Sequence, residues 1–263
     1  MNIVLMCGGL SKRFLNEESE HVCKLTYLVN GKPMIIHILD TIQKLNENYK
    51  IIIVLSLHYA NDIRECINNY VDNLNNIFYS YQDMARPGTA GAIHSCLSLL
   101  NDNDQTLILS GDVPFITLDS LENLMEYKNC MMITRLETPT GNGRVIFGRN
   151  DETVVDVIEE VMCDESQAYI KFVNTGNYYL ETSKLLELIP LISNNNRANE
   201  YYLTDIVKLL DQHSVNLNYY ELPREQQYQI YNINTLQDLY NAEELYYQNN
   251  VPVLQDSLDL ILQ

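Results

Sequence analysis

Three short, unbroken apolar runs constrain this chain more than anything else in it: NIVLMC at Asn2–Cys7, KIIIVL at Lys50–Leu55 and TLILS at residues 106–110. A strand buried on both faces has no solvent side to alternate with, so it reads as a continuous apolar run of this length. Segments of helical period separate the runs. Pro33 sits where a first helical turn tolerates it, and Met34, Ile35, Ile38, Leu39 and Ile42 follow on one face. Residues 60–70 and 89–100 are the next helix candidates. Strand–helix–strand alternation at this spacing predicts an α/β fold, a Rossmann-like, mostly parallel sheet flanked by helices.

The second half changes character. Residues 130–135, 144–147, 154–158 and 171–180 read as strands with turn signals between them, and helices return at 203–210 and 235–247. This predicts a β-rich lobe packed on the N-terminal sheet and closed by C-terminal helices. A single domain over 1–249 is expected, divided near residue 135, with an appended helix at 250–263.

Composition limits the function classes. Seventeen basic against 35 acidic residues leave a net charge of −18, which argues against gripping nucleic acid or anionic lipid. No run of 18 apolar residues is present to span a membrane as a helix, and the first residues lack a signal-peptide pattern. The six cysteines form no CxxC pair, as expected of reduced thiols rather than of a disulfide framework or zinc site. The five histidines show no metal spacing. A soluble, cytoplasmic protein is the expectation.

Of the ten glycines, eight (Gly8, Gly9, Gly88, Gly91, Gly111, Gly141, Gly143 and Gly176) fall in polar motifs after strands or at turns, which marks candidate site loops. Turns need glycine for folding alone, so the neighbouring chemistry decides. The first loop reads Cys7-Gly8-Gly9-Leu10-Ser11-Lys12-Arg13. It follows the first strand of a parallel sheet, where phosphate groups can meet exposed N–H groups and two cations. It is neither a P-loop nor the dinucleotide fingerprint, so a dinucleotide-dependent oxidoreductase stays open from the sheet pattern but has the wrong glycine loop.

That loop, then Lys24, then Asn30-Gly31-Lys32-Pro33-Met34 opening a helix, resembles the sugar-1-phosphate nucleotidyltransferases. Their loop reads AAGxGTRM or AGGxGTRL, followed by PK. Here Ser11, Lys12 and Cys23 depart from that pattern, while Arg13 and Lys24 keep it. Gln82 with Pro87-Gly88-Thr89-Ala90-Gly91-Ala92 resembles the base-reading element, one residue longer in spacing, and Ser110-Gly111-Asp112-Val113-Pro114 resembles GDxP. Later motifs resemble the N-acetylglucosamine-1-phosphate uridyltransferases in particular. Pro139-Thr140-Gly141-Asn142-Gly143-Arg144 is similar to PTGYGR, Val157-Ile158-Glu159 to IVE, and Asn174-Thr175-Gly176 to NTG. Asn194-Asn195-Asn196 with Glu200-Tyr201-Tyr202-Leu203-Thr204-Asp205 is similar to NNN…EYYITD, and Ile233-Asn234-Thr235 with Asp238-Leu239 to INTxxDL. After Glu159 the chain has Glu160-Val161-Met162 where that family has HKD.

The resemblance implies a nucleotidyltransferase GT-A-like fold with a β-rich sugar-binding lobe. It implies transfer of UMP from UTP to N-acetylglucosamine 1-phosphate, without the acetyltransferase β-helix of bifunctional relatives. It assigns Arg13 and Lys24 as catalytic residues, and Cys7, Gly8, Gly9, Lys12, Gln82, Gly88 and Thr89 to the nucleotide. Gly143, Glu159, Asn174, Tyr202 and Thr204 go to the sugar, and Asp112 and Asn234 to Mg²⁺. Two alternatives stay open: the same chemistry on another NTP and phosphate pair, and a non-catalytic regulatory relative. Retention of Arg13, Lys24, Asp112 and Asn234 disfavours the second.

Overall fold

The computed structural model of the chain describes residues 1–9, 23–46 and 48–250. Strand β1 (Asn2–Cys7) is followed by a hairpin of β2 (Leu28–Val29) and β3 (Lys32–Pro33) and by helix α1 (Met34–Ile42). Then come β4 (Lys50–Leu55), α2 (Ala60–Tyr70), β5 (Ile77–Tyr81), α3 (Thr89–Cys96) and β6 (Gln105–Ser110). The second half adds α4 (Leu118–Met125), β7 (Cys130–Arg135), β8 (Arg144–Phe147), β9 (Val154–Ile158) and β10 (Phe172–Glu181). It closes with α5 (Thr182–Leu188), α6 (Asp205–Gln212), β11 (Asn218–Glu221) and α7 (Leu236–Asn250).

The main sheet runs β11-β7-β10-β6-β1-β4-β5, with β8 pairing β10 and β9 pairing β8. Strands β6, β1, β4 and β5 are mutually parallel, as the apolar runs predict. Alternation across the pleat sends Ile3, Leu5 and Cys7 into a core with α1, α2 and α4, and Val4 into a second core with α3, α5 and α6. Helices therefore cover both faces.

The second half corrects the expectation of a lobe packed upon the sheet. Its strands extend the sheet in plane. Strand β10 inserts antiparallel between β6 and β7, and β7 takes β11 alongside in parallel. Only β8 and β9 leave the main path, as a hairpin branching from β10. Helix α3 ends at Cys96 and gives way to a 3-10 turn over Leu97–Leu99, short of the expected residue 100. Helix α6 starts and ends two residues later than expected, and α7 runs on to Asn250. The expected helix over 251–263 lies outside the described residues. Among the described residues no helix is long and apolar enough to cross a membrane.

Candidate active site

Parallel strands raise the loops at their carboxyl ends along one edge of the sheet, and the strands on either side of β1 share that edge. Gly8 follows β1, Gln82 follows β5, and Gly111-Asp112 follow β6. Gly111 N–H donates to the Met6 carbonyl at 2.9 Å, which holds the Asp112 turn against the end of β1. Cys7 lies beneath this turn with its thiol in the core. Burial first, then the nearby Cys23 and Asp112, push its pKa well up. It can offer a ligand only main chain.

Lys24, Asp112 and Asn234 lie far apart in sequence and converge here. The Lys24 ammonium donates to Asp112 Oδ2 at 2.7 Å, to Asn234 Oδ1 at 2.9 Å and to the Ile233 carbonyl at 3.0 Å. Ile233 N–H donates to the Asp112 carbonyl at 3.2 Å, joining the α7 approach to the β6 turn. Ser110 Oγ–H donates to the other Asp112 oxygen at 2.7 Å. The Asp238 carboxylate accepts from Asn234 N–H at 3.0 Å and Thr235 N–H at 2.8 Å, while Asp238 N–H donates to Thr235 Oγ1 at 3.1 Å. This reciprocal cap fixes the chain entering α7, and with it Asn234. Lys24 is buried, so truncating Asp112 would strand part of its charge at a cost of about 3 kcal/mol.

Gln82 occupies the gap between two glycine loops. A side chain at Gly8 would bring a Cβ to 2.1 Å from Gln82 Oε1, so only glycine lets the amide lie there. The other end of the amide donates to the Gly88 carbonyl at 3.0 Å. The added residue between Gln82 and Gly88 thus leaves Gln82 joined to both loops. Gly88 has φ +102°, and its position against Tyr201 leaves no room for a Cβ, which would sit 2.5 Å from the Tyr201 carbonyl oxygen. Ala90 N–H donates to that oxygen at 2.9 Å, Tyr201 N–H donates to the Pro87 carbonyl at 2.8 Å, and Leu203 N–H donates to Thr89 Oγ1 at 2.8 Å. The start of α3 and the segment before α6 are therefore bonded into one unit.

Beyond that seam, three strands carry a row of residues. Arg144 on β8 pairs with Ile158 on β9 and with Val173 on β10. Antiparallel register then sets Gly143 beside Glu159 and Asn174, and Asn174 N–H donates to the Gly143 carbonyl at 3.0 Å. Thr204 Oγ1–H donates to Glu159 Oε1 at 2.7 Å, bringing the start of α6 to the same carboxylate. Tyr202 stands nearby, its pKa raised by burial first and then by Glu200, Glu159 and Asp205. A cleft of about 370 Å³ opens beside Glu159 and Tyr202, lined also by Asn195, Asn196 and Asp205. Burial, then Asp156 and Glu159, hold the Asp205 carboxyl above its usual range.

The departure after Glu159 has a structural counterpart. Glu160 accepts from Gly141 N–H at 2.7 Å and pairs with the buried Arg144 guanidinium at 3.2 Å. The acidic residue straps the Gly141–Gly143 turn to the end of β9, where the family pattern has a basic residue shortly after.

The structure thus gathers Lys24, Asp112 and Asn234 at one point, Gly8, Gln82, Gly88 and Thr89 at a second, and Gly143, Glu159, Asn174 and Thr204 at a third. Gly9 lies exposed at the end of the first loop segment. Ser11, Lys12 and Arg13 lie outside the described residues. Sequence reasoning missed Ser110, Asp238, Tyr201 and the Arg144–Glu160 pair. Asp238 had a signal, since Thr-x-x-Asp at a helix start is a capping pattern. The other three depend on folding.

Known proteins are similar to this chain. A family model described as the MobA-like NTP transferase domain matches residues 3–160. An Acanthamoeba polyphaga mimivirus protein named probable UDP-N-acetylglucosamine pyrophosphorylase is 36% identical over 251 residues, covering 92% of this chain and 95% of its own. The bifunctional protein GlmU of Sulfurovum is 34% identical over 249 residues, and this chain spans 54% of its length. A crystal structure of UDP-glucose pyrophosphorylase complexed with UDP-glucose superposes with TM-score 0.73 at 15% identity, covering 94% of this chain and 98% of that one, which is a likeness of fold. The chain belongs to the MobA-like NTP transferase family of nucleotidyltransferases.

Proposed function

We propose that this nucleotidyltransferase moves UMP from UTP to N-acetylglucosamine 1-phosphate, giving UDP-N-acetylglucosamine and pyrophosphate. The observation that carries the reading is the adjacency of two sites. Strand β10 runs antiparallel beside β6, so Asn174 near its start lies by the end of β6 that carries Asp112, where Lys24 and Asn234 converge. The similarity to the mimivirus protein over nearly the whole of both chains supports the substrate pair.

A phosphate oxygen of the sugar phosphate attacks the α-phosphorus of UTP, and the bond from that phosphorus to the oxygen of the departing pyrophosphate breaks. The nucleophile is already an anion, so no general base is needed, and the protein's task is alignment and charge. Two hard oxygens, Asp112 Oδ2 and Asn234 Oδ1, converge on a point where the Lys24 ammonium now lies, so the pair suits a divalent cation completed by phosphate and water oxygens. Mg²⁺ bound there would supply neutralisation of phosphate charge. Asp112 and Asn234 would hold it, Ser110 and Asp238 would orient those two ligands, and Lys24 would give its positive charge to the α-phosphate or the incoming sugar phosphate. Arg13 and Lys12 remain assigned to the pyrophosphate by resemblance. Gln82, Gly88 and Thr89 frame the base pocket, with the Gly8–Gly9 turn against the ribose. Glu159, Asn174, Gly143, Tyr202 and Thr204 receive the sugar.

The test is pyrophosphate release with UTP, CTP, GTP and dTTP against a panel of sugar 1-phosphates, with and without Mg²⁺. Turnover that needs Mg²⁺ and is fastest with UTP and N-acetylglucosamine 1-phosphate is expected. Faster turnover with another pair would move the substrate assignment, and a folded protein that binds UTP and turns over no pair would point to a regulatory relative.

A further inference from the structure

Tyr178 is fully buried, and its hydroxyl has no hydrogen-bond partner. A buried donor left unmatched costs free energy of about 1–3 kcal/mol, and such atoms are uncommon in native cores. Its place in the fold suggests what it is for. On β10, Asn174 pairs with Ile133 and Tyr178 with Met131, so Thr175, Gly176 and Asn177 together face Met132 alone. A regular strand would separate Asn174 and Tyr178 by four residues of rise, about 13 Å. The bulge removes roughly half of that and leaves both side chains on one face. The bulge is pinned by Thr175 Oγ1–H donating to the Met132 carbonyl at 2.8 Å and by Gly176 N–H donating to Asn174 Oδ1 at 3.0 Å. Burial, foremost, and then the Glu159 charge raise the Tyr178 pKa, and the Asn174 side chain beside the hydroxyl opposes them. The phenol therefore stays protonated and keeps its donor.

We infer that Tyr178 is a positioning residue for sugar recognition, its hydroxyl standing behind Glu159 and Asn174 to fix both side chains once a sugar engages them. This rests on the proposed function. Glu159 is bonded to Thr204, and Asn174 to its own bulge, so each side chain already has one partner. The Tyr178 hydroxyl is a buried polar group beside both of them.

The test is calorimetric binding of UDP-N-acetylglucosamine and of UDP to wild type, Tyr178→Phe and Tyr178→Phe combined with Glu159→Gln, with thermal unfolding of each. Phenylalanine keeps the ring and removes only the hydroxyl. Tyr178→Phe is expected to weaken UDP-N-acetylglucosamine about five- to tenfold, leave UDP unchanged, and leave Tm unchanged or higher because an unmatched donor is gone. The loss should shrink when Glu159 is already changed, because neighbours in one network are not additive. Unchanged UDP-N-acetylglucosamine affinity in Tyr178→Phe, or a fall in Tm with equal weakening of both ligands, would overturn the role and make Tyr178 a packing residue. A wild type that binds UDP-N-acetylglucosamine no better than UDP would overturn it too, and would separately sink the proposed substrate.

Discussion

At the carboxyl edge of β1 and β5, Gly8, Gln82 and Gly88 meet through contacts so close to the backbone that added side chains would collide. Across β9, β8 and β10, by contrast, Glu159 and Asn174 flank a glycine and reach outward with a carboxylate and an amide. In the proposed function the first region is the nucleotide side, shaped chiefly by main chain at the ends of parallel strands, where a phosphate-bearing ligand would meet backbone N–H groups. The second region, the sugar side of that proposal, is shaped by side chains set in register by antiparallel pairing. On that proposal, chemistry common to many substrates belongs to the first region, and choice among sugars to the second. The Tyr201 seam bonds the start of α3 to the segment before α6, between the two regions.

The largest effect that would break this contrast concerns the convergence at the edge. Asp112→Ala should lower pyrophosphate release by about 10²–10³-fold with every sugar phosphate alike, since it removes charge control rather than sugar contacts. A loss confined to one sugar would blur the two sides together. Next comes the seam. Gly88→Ala meets both the left-handed backbone and the Tyr201 main chain, so unfolding should show a loss of about 2–4 kcal/mol and weaker binding of both substrates.

Glu160→Ala sharpens the comparison from the sugar side. It frees Gly141 and leaves the buried Arg144 without its carboxylate partner, with only the Asn142 carbonyl still accepting from it, so KM for the sugar phosphate should rise by about threefold to tenfold, with KM for UTP unchanged. Asp238→Ala should cost about 1 kcal/mol as a lost cap and raise the Mg²⁺ concentration needed for half-maximal rate, read by metal titration at saturating substrates.

The smallest effect is pH-dependent. His37 bonds the Val29 carbonyl at 2.8 Å among Phe115 and Tyr246, with Lys32 and Asp40 nearby, and burial above all lowers its pKa from 6.5. The unfolded chain then binds more protons below that value. The stability it supports is present above pH 6.5 and declines as pH falls towards the folded pKa. The decline should flatten in His37→Gln, measured by unfolding across that range.

How much of this was legible in sequence follows the same division. Asn2–Cys7 and Lys50–Leu55 were readable to the residue because burial on both faces leaves one pattern. Ile77–Tyr81 was not, since only Ile77 and Ser80 of that edge strand are buried, and Asn218–Glu221 buries none of its residues. The glycine and aspartate motifs could be placed on loops from their neighbours. What could not be read was assembly: Lys24 reaching Asp112 and Asn234 from opposite ends of the chain, or Gln82 committed to Gly88. Nor does any local pattern announce that Thr175-Gly176-Asn177 bulges and draws Tyr178 up to Asn174, because the bulge depends on the register with β7.

The most direct measurement of the division between the two sides is the ratio of kcat/KM for N-acetylglucosamine 1-phosphate to that for glucose 1-phosphate, with UTP saturating, in wild type and Asn174→Ala. The expected result is a ratio that falls by about tenfold or more while kcat with glucose 1-phosphate stays within about threefold. A fall of both activities together, with the ratio unchanged, would contradict the account and return Asn174 to the framework of the strand.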